Sequence, residues 1–198
     1  MSLTADQAKA VASYTLADFE HERATNKRVI AAVPADKQTY SPDAKSMNAL
    51  DLAWHIASAE LFFLNSVSEG KFTGGESKRP ENIRNAQDVL DWYDKNVPPA
   101  LERAKGLSGQ QLAASIDFFG MMQAPAAVYL TLMVKHGVHH RGQLSAYLRP
   151  MGAKGPSIYG PSADTQEVIA MRLGLAKVSA SMEKHLRCPN GQRMRENT

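Results

Sequence analysis

Apolar residues recur along this chain with the 3.6-residue period of helices, in four long stretches separated by Pro- and Gly-marked breaks. The first stretch runs from about Thr4 to Val33, with Leu16, Phe19, Val29 and Ile30 on one stripe. Thr4 is placed to cap it and Pro34 to stop it. A polar connection containing Pro42 follows. The second stretch is expected from about Ser46 to Gly70, a glycine suited to a C-cap. It is apolar on more than one face, through Leu50, Leu52, Trp54, Ile56, Leu61 and Phe62, which predicts a central position. Lys71 to Arg84 reads as a loop with Gly74, Gly75 and Pro80. A third helix is expected over Ala86 to Lys105, kinked or broken at Pro98 and Pro99.

Gly106 to Ala124 is ambiguous: Ile116, Phe118 and Phe119 fit an extended segment or a packed loop. A fourth helix should begin near Pro125 and end at Leu148, before Pro150 and Gly152. Gly155, Pro156, Gly160 and Pro161 then enforce a loop. Asp164 is placed to cap a last helix reaching about His185, and Cys188 to Thr198 reads as a polar tail. The expected fold is all-α, an antiparallel four-helix bundle with a long helix 1–2 connection and an additional C-terminal helix. Residues 1–164 would form the bundle and residues 165–198 the helical extension and tail.

Composition narrows the function classes. A chain of 198 residues that is 43% hydrophobic fits one domain with a full core. The net charge of +3 is small and its basic residues are dispersed, which gives no case for a nucleic-acid partner. A single cysteine, Cys188, rules out a disulfide within the chain and fits a reducing cytoplasm. The first residues have no apolar core of a signal peptide, and no run approaches the roughly 18 apolar residues of a membrane span. A cytoplasmic protein with no membrane partner is expected.

Of six histidines, three fall within five residues, in His136-Gly137-Val138-His139-His140. On a helix His136 and His140 are about 40° apart and roughly 6 Å along the axis, so both imidazoles can reach one point. His136 and His139 are about 60° apart and form an alternative pair, whereas His139 and His140 are about 100° apart and cannot share a metal. Neutral imidazoles bind zinc, nickel, copper and iron. His55, on the apolar second helix, is the candidate third ligand. Clustered imidazoles repel one another when protonated and lack acceptors when all donate, and a metal resolves both problems by using their lone pairs. Asp51, one turn before His55, either orients an imidazole or occupies the helix's first turn for its dipole, the plainer role.

Other chemistry is poorly supported. Gly137 stands where an HExxH protease needs its glutamate. No paired Glu and Glu-x-x-His sets of a di-iron bundle appear. His21, between Glu20 and Glu22, reads as surface, and His185 lies near the tail. Glu60 and Glu102 have no relation to the histidines that spacing can establish.

Three passages resemble the DinB/YfiT-like superfamily of damage-inducible, four-helix metal-binding proteins. They are Ala49-Leu50-Asp51-Leu52-Ala53-Trp54-His55-Ile56-Ala57, His136-Gly137-Val138-His139-His140-Arg141-Gly142-Gln143-Leu144, and the loop Pro156-Ser157-Ile158-Tyr159-Gly160-Pro161-Ser162-Ala163-Asp164. The likeness covers roughly residues 5 to 164. It implies His55, His136 and His140 as ligands of a divalent transition metal, zinc or nickel first, iron or copper otherwise. Relatives in that superfamily include S-transferases that use low-molecular-weight thiols and a thiol-dependent isomerase. The resemblance therefore implies a metal-dependent transferase acting on a small molecule with a thiol partner. A metal-activated hydrolase and a non-catalytic metal-binding stress protein are the alternatives.

Near the ligand face of the fourth helix, Tyr129, Met133 and Tyr147 are expected in the core or lining a pocket, and Gln143 is placed to contact a ligand. Val128, Leu132, Leu144 and Leu148 offer more apolar surface than one core face needs, which predicts a homodimer.

Overall fold

The structure is a computed structural model that describes residues 2–74 and 78–172. Its long helices are α1 (Ala5–Ala31), α2 (Ala49–Glu69), α3 (Ala86–Lys105) and α5 (Ala126–Leu148). Between α3 and α5 lie the short helix α4 (Gly109–Ala113) and a hairpin of β1 (Ser115–Phe118) and β2 (Met122–Pro125). The last described helix, α6, spans Ala163–Arg172.

Each long helix starts where a side chain can satisfy its first backbone N–H groups. Thr4 caps α1 in a reciprocal box with Gln7, as expected. Helix α2 starts later than expected, because Asn48 rather than Ser46 accepts from the Asp51 N–H. Ser46 is instead held in the preceding turn, where its carbonyl accepts from the Ser41 hydroxyl at 3.0 Å. Gly70 closes α2 in a left-handed conformation. Pro98 and Pro99 do not break α3. Proline there removes the bonds to the Asp94 and Lys95 carbonyls, but both residues are exposed and water can replace them. On the opposite side Val97, Ala100 and Leu101 are buried and hold the helix to the bundle.

The four long helices form a bundle in which α1 contacts α3 and α5, and α2 contacts the same two. Pairings fix the directions. Thr15 meets Thr131 and Glu22 meets Arg141, so α1 and α5 run the same way. Trp54 meets Trp92 and Asn65 meets Arg103, so α2 and α3 run together. Across the bundle Glu20 pairs with Lys105 and Lys27 with Asp94, so α1 and α3 are antiparallel. The α2–α3 connection must therefore return along the bundle. Phe72 packs on Phe63 near the end of α2, and Arg79 bonds Asp51 near its start. Asp51 thus belongs to an ion pair in the helix's first turn.

Leu144 and Leu148 are buried in the core and Val128 is half-buried, so much of this apolar surface on α5 is used within the chain. No helix among the described residues is long and apolar enough to cross a membrane.

The chain divides into two compact units, Met1–Lys154 and Gly155–Thr198. In the second, Ser162 rather than Asp164 caps α6, since its hydroxyl accepts from the Thr165 N–H at 3.2 Å. The Asp164 carboxylate accepts from the Gly155 N–H instead, at 2.9 Å. The expected continuation to His185 and the tail from Cys188 lie outside the described residues.

Candidate metal centre

Helices α2 and α5 carry His55 on one side and His136 and His140 on the other, and their rings meet between the helices. His55 Nε2 lies 3.2 Å from His136 Nε2 and 3.1 Å from His140 Nε2. One imidazole nitrogen has one proton or one lone pair, so it cannot make hydrogen bonds to both partners. Ligands about 2.0–2.1 Å from a tetrahedral ion stand roughly 3.3–3.4 Å apart, close to the spacing seen. The three-histidine group can therefore hold a metal ion.

Protonation favours the same use. Burial, reinforced by the neighbouring His140 and His55, pulls the His136 imidazole down to about 4, so it is neutral with a free lone pair at pH 7. His140 Nδ1 lies 2.7 Å from Gln143 Oε1. The amide oxygen only accepts, so Nδ1 carries the proton and Nε2 is left as the ligand nitrogen. Gln143, expected to touch a bound ligand, thus has its carbonyl engaged in orienting His140. His139 is exposed on another side of α5 and stands outside the group.

A buried polar network lies beside the centre, joining residues that no spacing along the sequence connects. The Glu60 carboxylate accepts from Asn26 Nδ2 at 2.6 Å and from the Tyr93 hydroxyl. Asn26 Oδ1 accepts from Arg141 at 3.1 Å, and Arg141 also pairs with Glu22. Glu60 and Arg141 are each about 1% exposed. Burial raises the Glu60 carboxyl to about 8, against the opposing pull of Tyr93, Asn26 and Arg141. The network spans all four long helices, from Glu22 and Asn26 on α1 to Arg141 on α5. A glutamate among the apolar residues in the middle of α2 was the signal for it.

A cavity of about 460 Å³ lies against His55 and His136. Its walls include His55 and His136, Phe62 and Phe63 of α2, and Phe118 and Phe119 of the hairpin. Tyr129 and Met133 do not line it. They are buried, and the Tyr129 hydroxyl lies 2.9 Å from the Ile116 carbonyl and 3.0 Å from the Met122 carbonyl, so its one proton is shared between the two strands and fastens the hairpin to α5. Tyr147 packs edge-on against Tyr40.

Comparison with known proteins agrees with this architecture. The DinB family matches residues 3–172. The uncharacterized protein YjoA of Bacillus subtilis (strain 168) is 29% identical over 137 residues, 68% of this chain and 86% of that protein. The uncharacterized protein YrdA of the same organism is 23% identical over 150 residues, 75% of this chain and 88% of that protein. The crystal structure of the DinB-like protein YjoA superposes with a TM-score of 0.62 at 24% identity, covering 74% of this chain and 97% of YjoA. A DinB-like protein from Bacillus cereus ATCC 10987 gives 0.62 at 23% identity, covering 73% and 95%. With a bundle of this shape and a family match over most of its length, the chain belongs to the DinB family.

Proposed function

We propose that this protein is a metal-dependent enzyme whose His55, His136 and His140 hold a divalent transition metal, zinc or nickel first, and that it transfers a low-molecular-weight thiol to a small-molecule acceptor. The observation that carries the reading is the convergence of three imidazole nitrogens next to an open cavity. Three neutral ligands leave the full charge of a divalent ion in place. Such an ion would supply Lewis acidity, lowering the pKa of a thiol or water at its remaining position. The chain's own residues do the rest. His136 stays neutral by burial, Gln143 sets the tautomer of His140, and the phenylalanines beside them present an apolar wall to the substrate. In the transfer the thiol loses its proton, sulfur bonds to an electrophilic carbon, and the leaving group departs with the electron pair.

The test is elemental analysis of the native protein, followed by conjugation assays with bacillithiol, mycothiol and glutathione, with and without the metal found. Metal-dependent conjugation that is lost in His136→Ala is the expected result. Hydrolysis of a simple ester or amide with the same dependence, and no conjugation, would replace transferase by hydrolase. Tight metal binding without turnover in either assay would make this a non-catalytic metal-binding protein.

A further inference from the structure

The cavity beside the histidines has a composition of its own. Among the described residues, no charged side chain lines it. Apart from the His55 and His136 rings, the one polar side chain among the described lining residues is Ser58, whose hydroxyl is turned back toward the His55 carbonyl at 3.5 Å. The other described lining residues are alanine, leucine, methionine and phenylalanine. A charged or sugar-like group entering this space would shed its hydration and find few partners to replace it. A flat apolar body would gain from every wall. The volume lies within the roughly 300–1,000 Å³ of small-molecule sites.

The hairpin tip supplies an independent observation. Phe118 O accepts from the Met121 N–H at 3.0 Å, so Phe119 and Gly120 are the central residues of the turn. Both have positive φ, 53° and 73°. Such turns take Gly, Asn or Asp at these places, because a β-carbon strains the left-handed backbone. Gly120 obeys the rule and Phe119 breaks it. The Phe119 ring touches Phe62, Phe72 and Phe118 yet is still 47% exposed, and Met121 beside the turn is 73% exposed, so folding does not bury either side chain. Both side chains face the cavity. The Phe119 ring lies nearly parallel to that of Phe62 across the cavity wall, with planes 5° apart and centroids 6.5 Å apart. The turn is also held firmly: the Asp117 carboxylate accepts from the Gly120 N–H at 2.9 Å. Backbone strain that presents a half-exposed ring to a cavity is a mark of a functional site.

We infer that this cavity binds the neutral, aromatic part of the small molecule on which the histidine centre acts, with its reactive atom toward His55 and His136, and that Phe119 is the wall that selects for it. The inference rests on the proposed function for the reaction, but not for the binding. Polar thiols of the sugar-bearing kind are excluded from this cavity, so the acceptor, rather than such a thiol, is the molecule that fills it.

The full-length protein, zinc-free and zinc-loaded, is titrated with the neutral fluorophore N-phenyl-1-naphthylamine. Saturable binding in both forms is expected, because the walls are not metal ligands. Absence of saturable binding in the zinc-free protein would overturn the pocket and leave the metal reading standing. Failure to bind zinc, with probe binding intact, would do the reverse. Phe119→Gly removes the ring and the strain together. It should weaken the probe on the order of tenfold while the Tm stays level or rises. Unchanged affinity, or affinity and Tm falling together, would overturn the role of Phe119. Leu132→Trp fills the cavity from α5, away from the hairpin, and should abolish probe binding with the fold retained. Binding undiminished in that variant would place the probe elsewhere and sink the proposal. Finally, benzyl mercaptan should displace the probe at far lower concentration than 2-mercaptoethanol, and equal potency would overturn the aromatic preference.

Discussion

Glu60 Oε1 lies 2.7 Å from where a β-carbon on residue 137 would stand. Glycine at this position lets the buried carboxylate of α2 pack onto the backbone of α5, one residue from His136. The residue that sets this chain apart from an HExxH protease is therefore the one that admits its buried glutamate. Gly137→Ala should destabilise the protein by about 2 kcal/mol, since the clash with a carboxylate held by Asn26 and Tyr93 outweighs the helix propensity gained. Gly142→Ala, with nothing within 4 Å of the added carbon, should instead stabilise by roughly 0.5–1 kcal/mol. Thermal denaturation of the pair decides it, and equal effects would refute the close approach.

Glu60 also sets a pH dependence. Its carboxyl is raised from 4.5 to about 8, chiefly by burial. Below pH 4.5 folded and unfolded chains both hold the proton, and the contribution of the neutral group is fully present. Between 4.5 and about 8 the unfolded chain releases its proton and the folded chain keeps it, so stability falls as pH rises. Glu60→Gln cannot ionise and should show a flatter profile across that window. Chemical denaturation at several pH values measures both slopes. A wild-type slope no steeper than the variant's would count against a buried neutral carboxyl.

How far the sequence carried is visible in particular residues. The bundle was legible because Thr4, Gly70, Pro125 and the apolar stripes are local signals. The pair His136 and His140 was legible from helical spacing, whereas His55 needed a second helix whose facing spacing cannot supply. The hairpin went unassigned because its strands are short and Phe119 occupies a turn position that favours Asn, Asp or Gly. The Glu22, Asn26, Glu60, Tyr93 and Arg141 network joins four helices, and no one-dimensional period connects residues so far apart. At the proline pair α3 is continuous rather than broken, because packing by Val97, Ala100 and Leu101 holds the helix across it.

Gln143 and His139 make a matched comparison on one helix. Gln143 accepts from His140 Nδ1 and so fixes Nε2 for a metal, while His139 stands outside the group. Gln143→Leu should lower zinc affinity about 10–100-fold with little change in fold. His139→Ala should leave it near the wild-type value. Competition against a zinc chelator reads both constants. A larger loss in His139→Ala than in Gln143→Leu would reassign the pair to His136 and His139.

His136 gives the opposite pH sign from Glu60. Its imidazole is lowered from 6.5 to about 4, first by burial and then by His140 and His55. Above pH 6.5 it is neutral in both folded and unfolded chains, and its full stability is present. As pH falls from 6.5 toward 4 the unfolded chain takes up a proton that the folded one refuses, so the metal-free protein loses stability across that window. Zinc affinity should decline over the same range, because protons compete for the ligand nitrogens. In His136→Gln the acid loss of stability should shrink, and zinc binding should be poor at every pH. Working in Glu60→Gln isolates the effect, since the two groups pull oppositely between pH 4.5 and 6.5. Metal-free protein whose stability in that background is unchanged from pH 6.5 to 4 would show that His136 protonates in place. The three rings would then not be held close enough, or dry enough, to serve as one centre.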